Sequence, residues 1–184
     1  AGDGAGTPFS IGLILVISGL GFKIAAGPFH MWAPDVYEGA PTPITAYIAV
    51  AAKAGAFVLF LRIFAEAFAP AAGQFGLLLA LLAALTMTVG NLVALTQSNI
   101  KRLLAYSSIG QAGYLLMAIA AFWMVGEDGG FVANALAANG LIFHVIGYGI
   151  TNFLAFFCVI VVSLELGKDS IQDYSGLASR TPVV

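Results

Sequence analysis

The sequence predicts an all-α protein, a polytopic bundle of transmembrane helices, and its composition is the first reason. Of the 184 residues, 60% are hydrophobic and only 9% are charged, and the mean hydropathy is +0.98. A soluble domain carries about 25% charged residues, so this chain cannot cover a water-exposed surface. The second reason is the presence of five apolar stretches, each long enough for a spanning helix, which needs about 20 residues.

Polar or Pro/Gly-rich connectors separate the five predicted helices. The helices cover residues 9–27, 43–64, 75–95, 103–125 and 131–166, within one domain fragment that comprises residues 1–184. The fifth is longer than a span requires, so its start is expected to be a separate turn or a tilted end. The chain begins without a Met or a basic leader and stops after a polar stretch, and we interpret it as an internal part of a longer protein.

Charge and cysteine content argue against several functions. The net charge is −2 and no basic stripe is present, which disfavours nucleic-acid binding. Cys158 is the single cysteine, so neither an intrachain disulfide nor a Cys-rich metal or iron–sulfur site can form. His30 and His144 are too few for a haem or zinc site on this chain, and no glycine-rich nucleotide motif occurs. We therefore expect no bound cofactor and no metal on this chain.

The distribution of basic residues predicts the orientation of the bundle. Lys101, Arg102, Lys168 and Arg180 fall in connectors on one side of the predicted membrane, whereas the opposite side holds only Arg62. Loops rich in Lys and Arg stay in the cytoplasm, so the first side is predicted to be cytoplasmic. Lys101 and Arg102 are predicted to act as interfacial anchors.

Lys23 lies inside the first predicted helix, where a lysine near the membrane centre costs at least about 2.5–3.5 kcal/mol. Gly19, Lys23 and Gly27 follow at intervals of four, so small residues let water or another helix approach the ammonium group. Pro28 cannot donate a hydrogen bond to Ile24, and we predict that Gly27 and Pro28 break the helix. Broken helices at mid-depth are typical of transporters. The alternative is a helix that simply ends at Pro28, with Lys23 reaching the interface.

Lys53 is the second charge inside a predicted span, close to mid-depth of the second predicted helix. Its neighbours at three and four residues along the helix are all apolar, so a partner must come from another helix or from water. Buried lysines can take up and release protons, which makes Lys53 a candidate proton carrier. The alternative is a permanently charged lysine paired with a structural carboxylate.

A third polar line occurs in the fifth predicted helix, where His144, Tyr148 and Asn152 are spaced four residues apart. Histidine titrates near neutral pH, so His144 is a candidate for proton transfer, or else it hydrogen-bonds a neighbouring helix. Tyr148 and Asn152 are predicted to connect helices or to line water. Ser108 and Gln111, in the fourth predicted helix, are candidates to hold water, and Asn91 in the third is a weaker one.

The connector over residues 28–43 is predicted to be a loop that lies at the membrane interface or against the protein, since lipid-exposed loops do not occur at membrane depth. Its aromatic residues, including Tyr37, fit an interfacial belt. Asp35 and Glu38 are the nearest carboxylates to Lys23 along the chain, and as loop residues they are expected to be solvated.

Two long segments carry a resemblance to a known family. The first, residues 22–64, reads FKIAAGPFHMWAPDVYEGAPTPITAYIAVAAKAGAFVLFLRIF, and the second, residues 91–120, reads NLVALTQSNIKRLLAYSSIGQAGYLLMAIA. Both resemble the subunit N family of proton-pumping NADH:quinone oxidoreductase, respiratory complex I. The same domain occurs in sister subunits L and M and in multisubunit cation/proton antiporters. PDVYEGAPTP followed by Lys53 is more similar to subunit N than to subunit L.

The resemblance implies about fourteen helices with two inverted five-helix repeats, in which the predicted helices would be the seventh to the eleventh. It implies that Lys23 is the proton-carrying lysine of a broken helix. It further implies that Lys53 is the bridging lysine of the next helix and that His144 is a polar link toward a second half-channel. The partner glutamate and a second channel lysine would lie outside this chain.

The resemblance also implies a place in a larger assembly. The chain would be part of an H⁺-translocating oxidoreductase without holding a redox site itself. NADH, FMN, iron–sulfur clusters and quinone would bind to partner subunits, and the neighbours would be sister antiporter-like subunits and small membrane subunits in a bacterial inner membrane. A thylakoid or organelle membrane is the alternative location. A cation/proton antiporter subunit and an inert structural scaffold are the alternative functions.

Overall fold

Helices account for most of the chain in the computed structural model, which describes residues 6–69, 72–125 and 131–177. The α-helices are α1 (Thr7–Ile24), α2 (Trp32–Gly39), α3 (Thr42–Tyr47), α4 (Lys53–Arg62), α5 (Ala72–Ala94), α6 (Ile100–Ala120) and α7 (Ala135–Leu166). Within these described ranges, four helical stretches are long and apolar enough to cross a membrane, and α1 is a shorter apolar helix. The predicted all-α transmembrane bundle is confirmed.

A single span, Thr42–Ala67, contains α3 and α4 and corresponds to the predicted helix at 43–64. Pro43 lies in its first turn, where the missing N–H has no intrahelical partner to lose. π-helical turns at Ile48–Ala52 and Ile63–Ala67 interrupt the α-helical pattern. Single π turns within α-helices frequently occur at functional sites, and Lys53 follows the first one directly.

Helices α5 and α6 form a tightly packed antiparallel pair. A Cβ added to Gly90 would lie 2.4 Å from the backbone nitrogen of Gly110, and one added to Gly113 would lie 2.8 Å from the backbone nitrogen of Met87. Small residues let helices approach at backbone distance in membranes. The apolar core lies beside this pair and includes Phe64, whose ring centroid is 4.8 Å from that of Phe75.

A short hairpin replaces the helical ends predicted around residues 120–134. Helix α6 ends at Ala120, and β1 (Trp123–Val125) pairs antiparallel with β2 (Phe131–Ala133). Asn134 then caps α7 by accepting hydrogen bonds from the backbone of Leu136 and Ala137. The apolar stretches at 103–125 and 131–166 thus each combine a helix with a strand, a division that hydrophobicity alone does not reveal.

The connector predicted as a loop contains helix α2, in which Ala33 and Tyr37, one helical turn apart, are buried. Tyr37 is fully buried, so it does not belong to an interfacial belt. Asp35 and Glu38 are ion-paired with Arg102, and their side chains are 74% and 42% exposed, so they are solvated as expected. The loop and the interfacial place of Tyr37 were wrong because α2 folds back onto α6, so the connector lies against the protein.

The basic residues are divided between the two ends of the bundle in the way that the predicted orientation requires. At one end, the connector before α6 meets the one after α7, where the backbone N–H of Ile100 donates to the Asp169 carbonyl at 2.9 Å. At the other end, the indole N–H of Trp123 donates to the Phe64 carbonyl at 3.2 Å. Lys101, Arg102 and Lys168 belong to the first end, Arg62 to the second, and Arg180 lies outside the described residues. Which end faces the cytoplasm stays a prediction.

The break after α1 begins earlier than Gly27 and Pro28. Helix α1 ends at Ile24, and Ala25 adopts the left-handed conformation with φ 58°. The backbone N–H of Gly27 then donates to the hydroxyl of Thr86 on α5, at 3.0 Å. Pro28 follows through a cis peptide bond. The break next to Lys23 is therefore held by a tertiary contact as well as by the proline.

Replacing Thr86 with Val is expected to destabilise the protein by about 1–3 kcal/mol, because the buried N–H of Gly27 loses its acceptor. Thr88→Val is the matched control. The hydroxyl of Thr88 also donates to a carbonyl one turn back, but among the described residues its side chain is bonded only within its own helix. The measurement is thermal unfolding of the purified full-length protein in detergent. Equal shifts for the two variants would contradict this role of Thr86.

Candidate functional site

Lys53 is a buried basic group whose partners are neutral groups on another helix. Its side chain is 3% exposed, and Nζ donates to the Ser108 hydroxyl at 2.6 Å and to the Ser108 carbonyl at 3.0 Å. Ser108 lies on α6 and is completely buried. No aspartate or glutamate pairs with Lys53 in the described part of the chain. The predicted partner from another helix is thus a serine, and no structural ion pair is present among these residues.

Ser108 connects Lys53 to two buried tyrosines. Its Oγ lies 2.7 Å from the hydroxyl of Tyr148 and 3.4 Å from that of Tyr37. The Tyr148 hydroxyl also donates to the Ala49 carbonyl at 2.8 Å. Because a phenol has one proton to give, Ser108 must donate to Tyr148 while accepting from Lys53. The hydrogen bonds therefore run in one direction, from the ammonium group through Ser108 and Tyr148 to a backbone carbonyl.

The π-helical turn before Lys53 brings the second helix of this cluster into reach. Ala49, which accepts from Tyr148, lies inside that turn. Gly149 is the residue after Tyr148, and a Cβ added there would lie 3.4 Å from a methyl carbon of Val50. The missing side chain lets α7 approach the turn closely enough for the tyrosine to bond its backbone.

A second polar pair lies about one helical turn from Ser108 and Tyr148, toward the C-terminal end of α6 and the N-terminal end of α7. His144 Nε2 is 2.8 Å from Gln111 Oε1, so Nε2 carries a proton in this arrangement, since an amide oxygen only accepts. The edge of the imidazole also faces the Tyr114 ring at 6.2 Å. A surface groove beside the pair is lined by Gln111, Phe143, His144, Gly147, Tyr148 and Thr151. Tyr148 therefore belongs both to the buried cluster and to the wall of this groove.

The remaining polar candidates lie outside the cluster. Asn152 bonds the Tyr148 carbonyl of its own helix at 3.1 Å and thus connects no helices among the described residues. Asn91 donates to the Tyr114 hydroxyl at 3.3 Å. Lys23 is exposed in the last turn of α1. No hydrogen bond or ion pair within the described ranges joins Lys23 to Lys53 or His144.

Two members of the cluster were not predicted to be site residues. Tyr37 reaches Ser108 only because the eight-residue helix α2 folds onto α6, a tertiary contact between residues that lie 71 positions apart in the sequence. The Ala49 carbonyl becomes a partner through a π turn, for which the apolar run IAVAA carries no signal. Tyr37 could have been noticed because it lies in the PDVYEGAPTP segment, which carries part of the family resemblance.

Residues 5–184 match the family described as NADH:quinone oxidoreductase/Mrp antiporter, TM, and the chain belongs to this family. The chain is 46% identical over 182 residues to NADH-quinone oxidoreductase subunit N of Desulforamulus reducens, covering 98% of this chain and 36% of the relative. It is 41% identical to NAD(P)H-quinone oxidoreductase subunit 2 of Rippkaea orientalis, covering 100% and 34%. The chain thus spans about a third of the length of these relatives.

Solved structures show the same fold. A chain of respiratory complex I from Thermus thermophilus with bound aureothin matches with a TM-score of 0.70 and 37% identity, over 99% of this chain and 37% of that one. A chain of the archaeal membrane-bound sulfane sulfur reductase matches with a TM-score of 0.80 and 30% identity, over 96% and 34%. The Mrp complex from Dietzia is similar in fold alone, with a TM-score of 0.72 and 22% identity over 83% and 26%.

Proposed function

We propose that the chain is part of a proton-translocating membrane subunit of an NADH:quinone oxidoreductase. The observation that most supports this is Lys53, a lysine enclosed in a membrane bundle and bonded to neutral oxygens. No described carboxylate pairs with Lys53, an ammonium group in a membrane interior is costly, and intramembrane charges mark ion pathways. The relatives that are 41–47% identical are named NADH-quinone or NAD(P)H-quinone oxidoreductase subunits, which favours this function over a cation/proton antiporter.

In this proposal, Lys53 accepts a proton that comes from Lys23 and passes it toward the groove beside His144. The hydroxyls of Ser108 and Tyr148 suit such a transfer because each can accept one proton while giving another. A carboxylate near Lys23 would stabilise its ammonium form, and moving that carboxylate away would send the proton on. Quinone reduction elsewhere in the complex would supply the energy by favouring one of two charge states.

The names of the same relatives support a place for the chain in a larger assembly. NADH, FMN, iron–sulfur clusters and quinone would bind to partner subunits, and the residues of this chain would hold none of them. Sister antiporter-like subunits and small membrane subunits would surround it in a bacterial inner membrane.

Replacing Lys53 with Met in the full-length subunit tests this function. Met keeps much of the length of the lysine stem but cannot carry a proton, so we expect fewer protons translocated per NADH oxidised, with a normal amount of assembled complex. The measurement is the proton-to-electron ratio of the purified complex in vesicles. Arg62→Gln is the control, because Arg62 forms an exposed pair with Glu66 at the opposite end from the Lys101–Arg102 connector. An unchanged ratio in Lys53→Met would contradict the proposal and favour an inert scaffold.

A further inference from the structure

Arg102 joins α6 to both carboxylates of α2. One guanidinium nitrogen, Nη1, lies 2.7 Å from Asp35 Oδ1 and 2.8 Å from Glu38 Oε2. The two carboxylates are three residues apart, so they project from the same face of α2. Charge-assisted hydrogen bonds of this length are about twice as strong as neutral ones. Two acceptors on one nitrogen restrict both the rotation of α2 about its axis and its depth along α6.

The residues on either side of Arg102 reinforce this contact. The Asn99 side chain caps α6 by accepting from the backbone N–H groups of Lys101 and Arg102, and it also donates to Glu38 at 3.4 Å. Lys101 pairs with Asp169 at 3.1 Å. Partial burial opposes ionisation of Asp169, but hydrogen bonds from Ser163 and Lys101 and the lysine charge outweigh it and lower the pKa of Asp169. The start of α6 is thus a fixed platform for α2.

The other side of α2 reaches the Lys53 cluster. Tyr37 immediately precedes Glu38, and its hydroxyl lies 3.4 Å from Ser108 Oγ, which itself accepts from Lys53. The Tyr37 ring packs edge-on against Phe156 of α7 at 6.3 Å. A helix of eight residues is not stable by itself, so tertiary contacts determine where α2 lies. The contacts of Arg102 at the bundle end are therefore connected through α2 to the hydroxyl beside Ser108.

We propose that Arg102 is a positioning residue for proton transfer at Lys53, acting through α2 and Tyr37. By holding Asp35 and Glu38, it keeps the Tyr37 hydroxyl within reach of Ser108. Because the Ser108 proton is committed to Tyr148, Tyr37 donates to Ser108 and helps fix the direction of the hydrogen-bonded chain. This inference rests on the proposed function of Lys53.

The test compares Arg102→Gln, Tyr37→Phe and the double variant in the full-length subunit of the assembled complex. Each single variant is expected to lower the proton-to-electron ratio in vesicles while the amount of complex stays normal. The double variant is expected to be no lower than Arg102→Gln alone, because residues that act in one chain of contacts are non-additive. Arg102→Lys should restore part of the ratio. The control is again Arg62→Gln, which removes an arginine from an exposed pair.

A normal ratio in Arg102→Gln, or a double variant in which the two losses simply add, would overturn the inference. If Arg102→Gln does not assemble, the variant with Asp35→Asn and Glu38→Gln removes the same contact from the more exposed side. It must show the same loss, and a normal ratio there would also overturn the inference. If Lys53→Met lowers the ratio while the α2 variants do not, only the role of Arg102 fails. If Lys53→Met has no effect, the proposed function itself fails.

Discussion

Replacing Lys23 with Ala is expected to abolish or strongly reduce proton translocation while the complex still assembles. Lys23 lies exposed in the last turn of α1, one residue before that helix ends at Ile24. Truncation there removes a charge without opening a cavity in the core, so we expect the variant to stay folded. The measurement is the proton-to-electron ratio of the reconstituted complex that contains the full-length variant.

Lys168→Ala is the matched control, since Lys168 is also an exposed lysine near a helix end, with Asp173 at 3.9 Å as its only ion-pair partner among the described residues. We expect its ratio to equal that of the parent protein. A normal ratio in Lys23→Ala would remove the broken-helix lysine from the proposed pathway. Equal losses in the two lysine variants would show that removing any exposed lysine has the same effect.

The second large effect is expected from Gly90→Ala, which should destabilise the bundle and reduce the amount of assembled protein. The new Cβ would lie 2.4 Å from the nitrogen and 2.7 Å from the Cα of Gly110. These are backbone atoms, so α5 and α6 must move apart, and overpacking of this kind costs about 1–3 kcal/mol or more. The measurement is thermal unfolding in detergent together with the amount of protein in the membrane.

Gly76→Ala is the control for this effect, because it makes the same substitution on the same helix, where a new Cβ meets nothing within 4 Å. It should leave the unfolding temperature near that of the parent protein. If Gly90→Ala behaved like Gly76→Ala, the close approach of α5 and α6 would not contribute to stability.

The sequence predicts that a helix break occurs near Lys23, but it does not predict the residue at which the helix ends. Pro28 excludes a continuous helix, and this local rule needs no tertiary information. The helix nevertheless ends at Ile24, because Ala25 turns left-handed and Gly27 bonds Thr86. Thr86 lies 59 residues further along the chain, and no local pattern connects the two residues.

In the candidate site, too, some features could be predicted from the local sequence and others depend on tertiary contacts. The burial of Lys53 could be predicted from the length of its apolar span, and a partner on another helix followed from its apolar neighbours. The identity of that partner depends on which face of α6 lies against α4, a tertiary feature that links Lys53 to a residue 55 positions further along the chain. Tyr37 was assigned to the interface because the connector was interpreted as a loop, although Ala33 and Tyr37 are one helical turn apart and are both buried on one face of α2.

The hydrogen bond from Tyr148 to the Ala49 carbonyl has a consequence for energy conservation if Lys53 carries protons as proposed. A backbone carbonyl cannot pass a proton on, so in this arrangement the chain from Lys53 ends inside the protein and does not conduct toward the groove. The Tyr148 hydroxyl must rotate away from Ala49 before a proton can leave. Such an arrangement would prevent leakage down the membrane potential between turnovers, and conduction would require the π-helical turn to release the tyrosine.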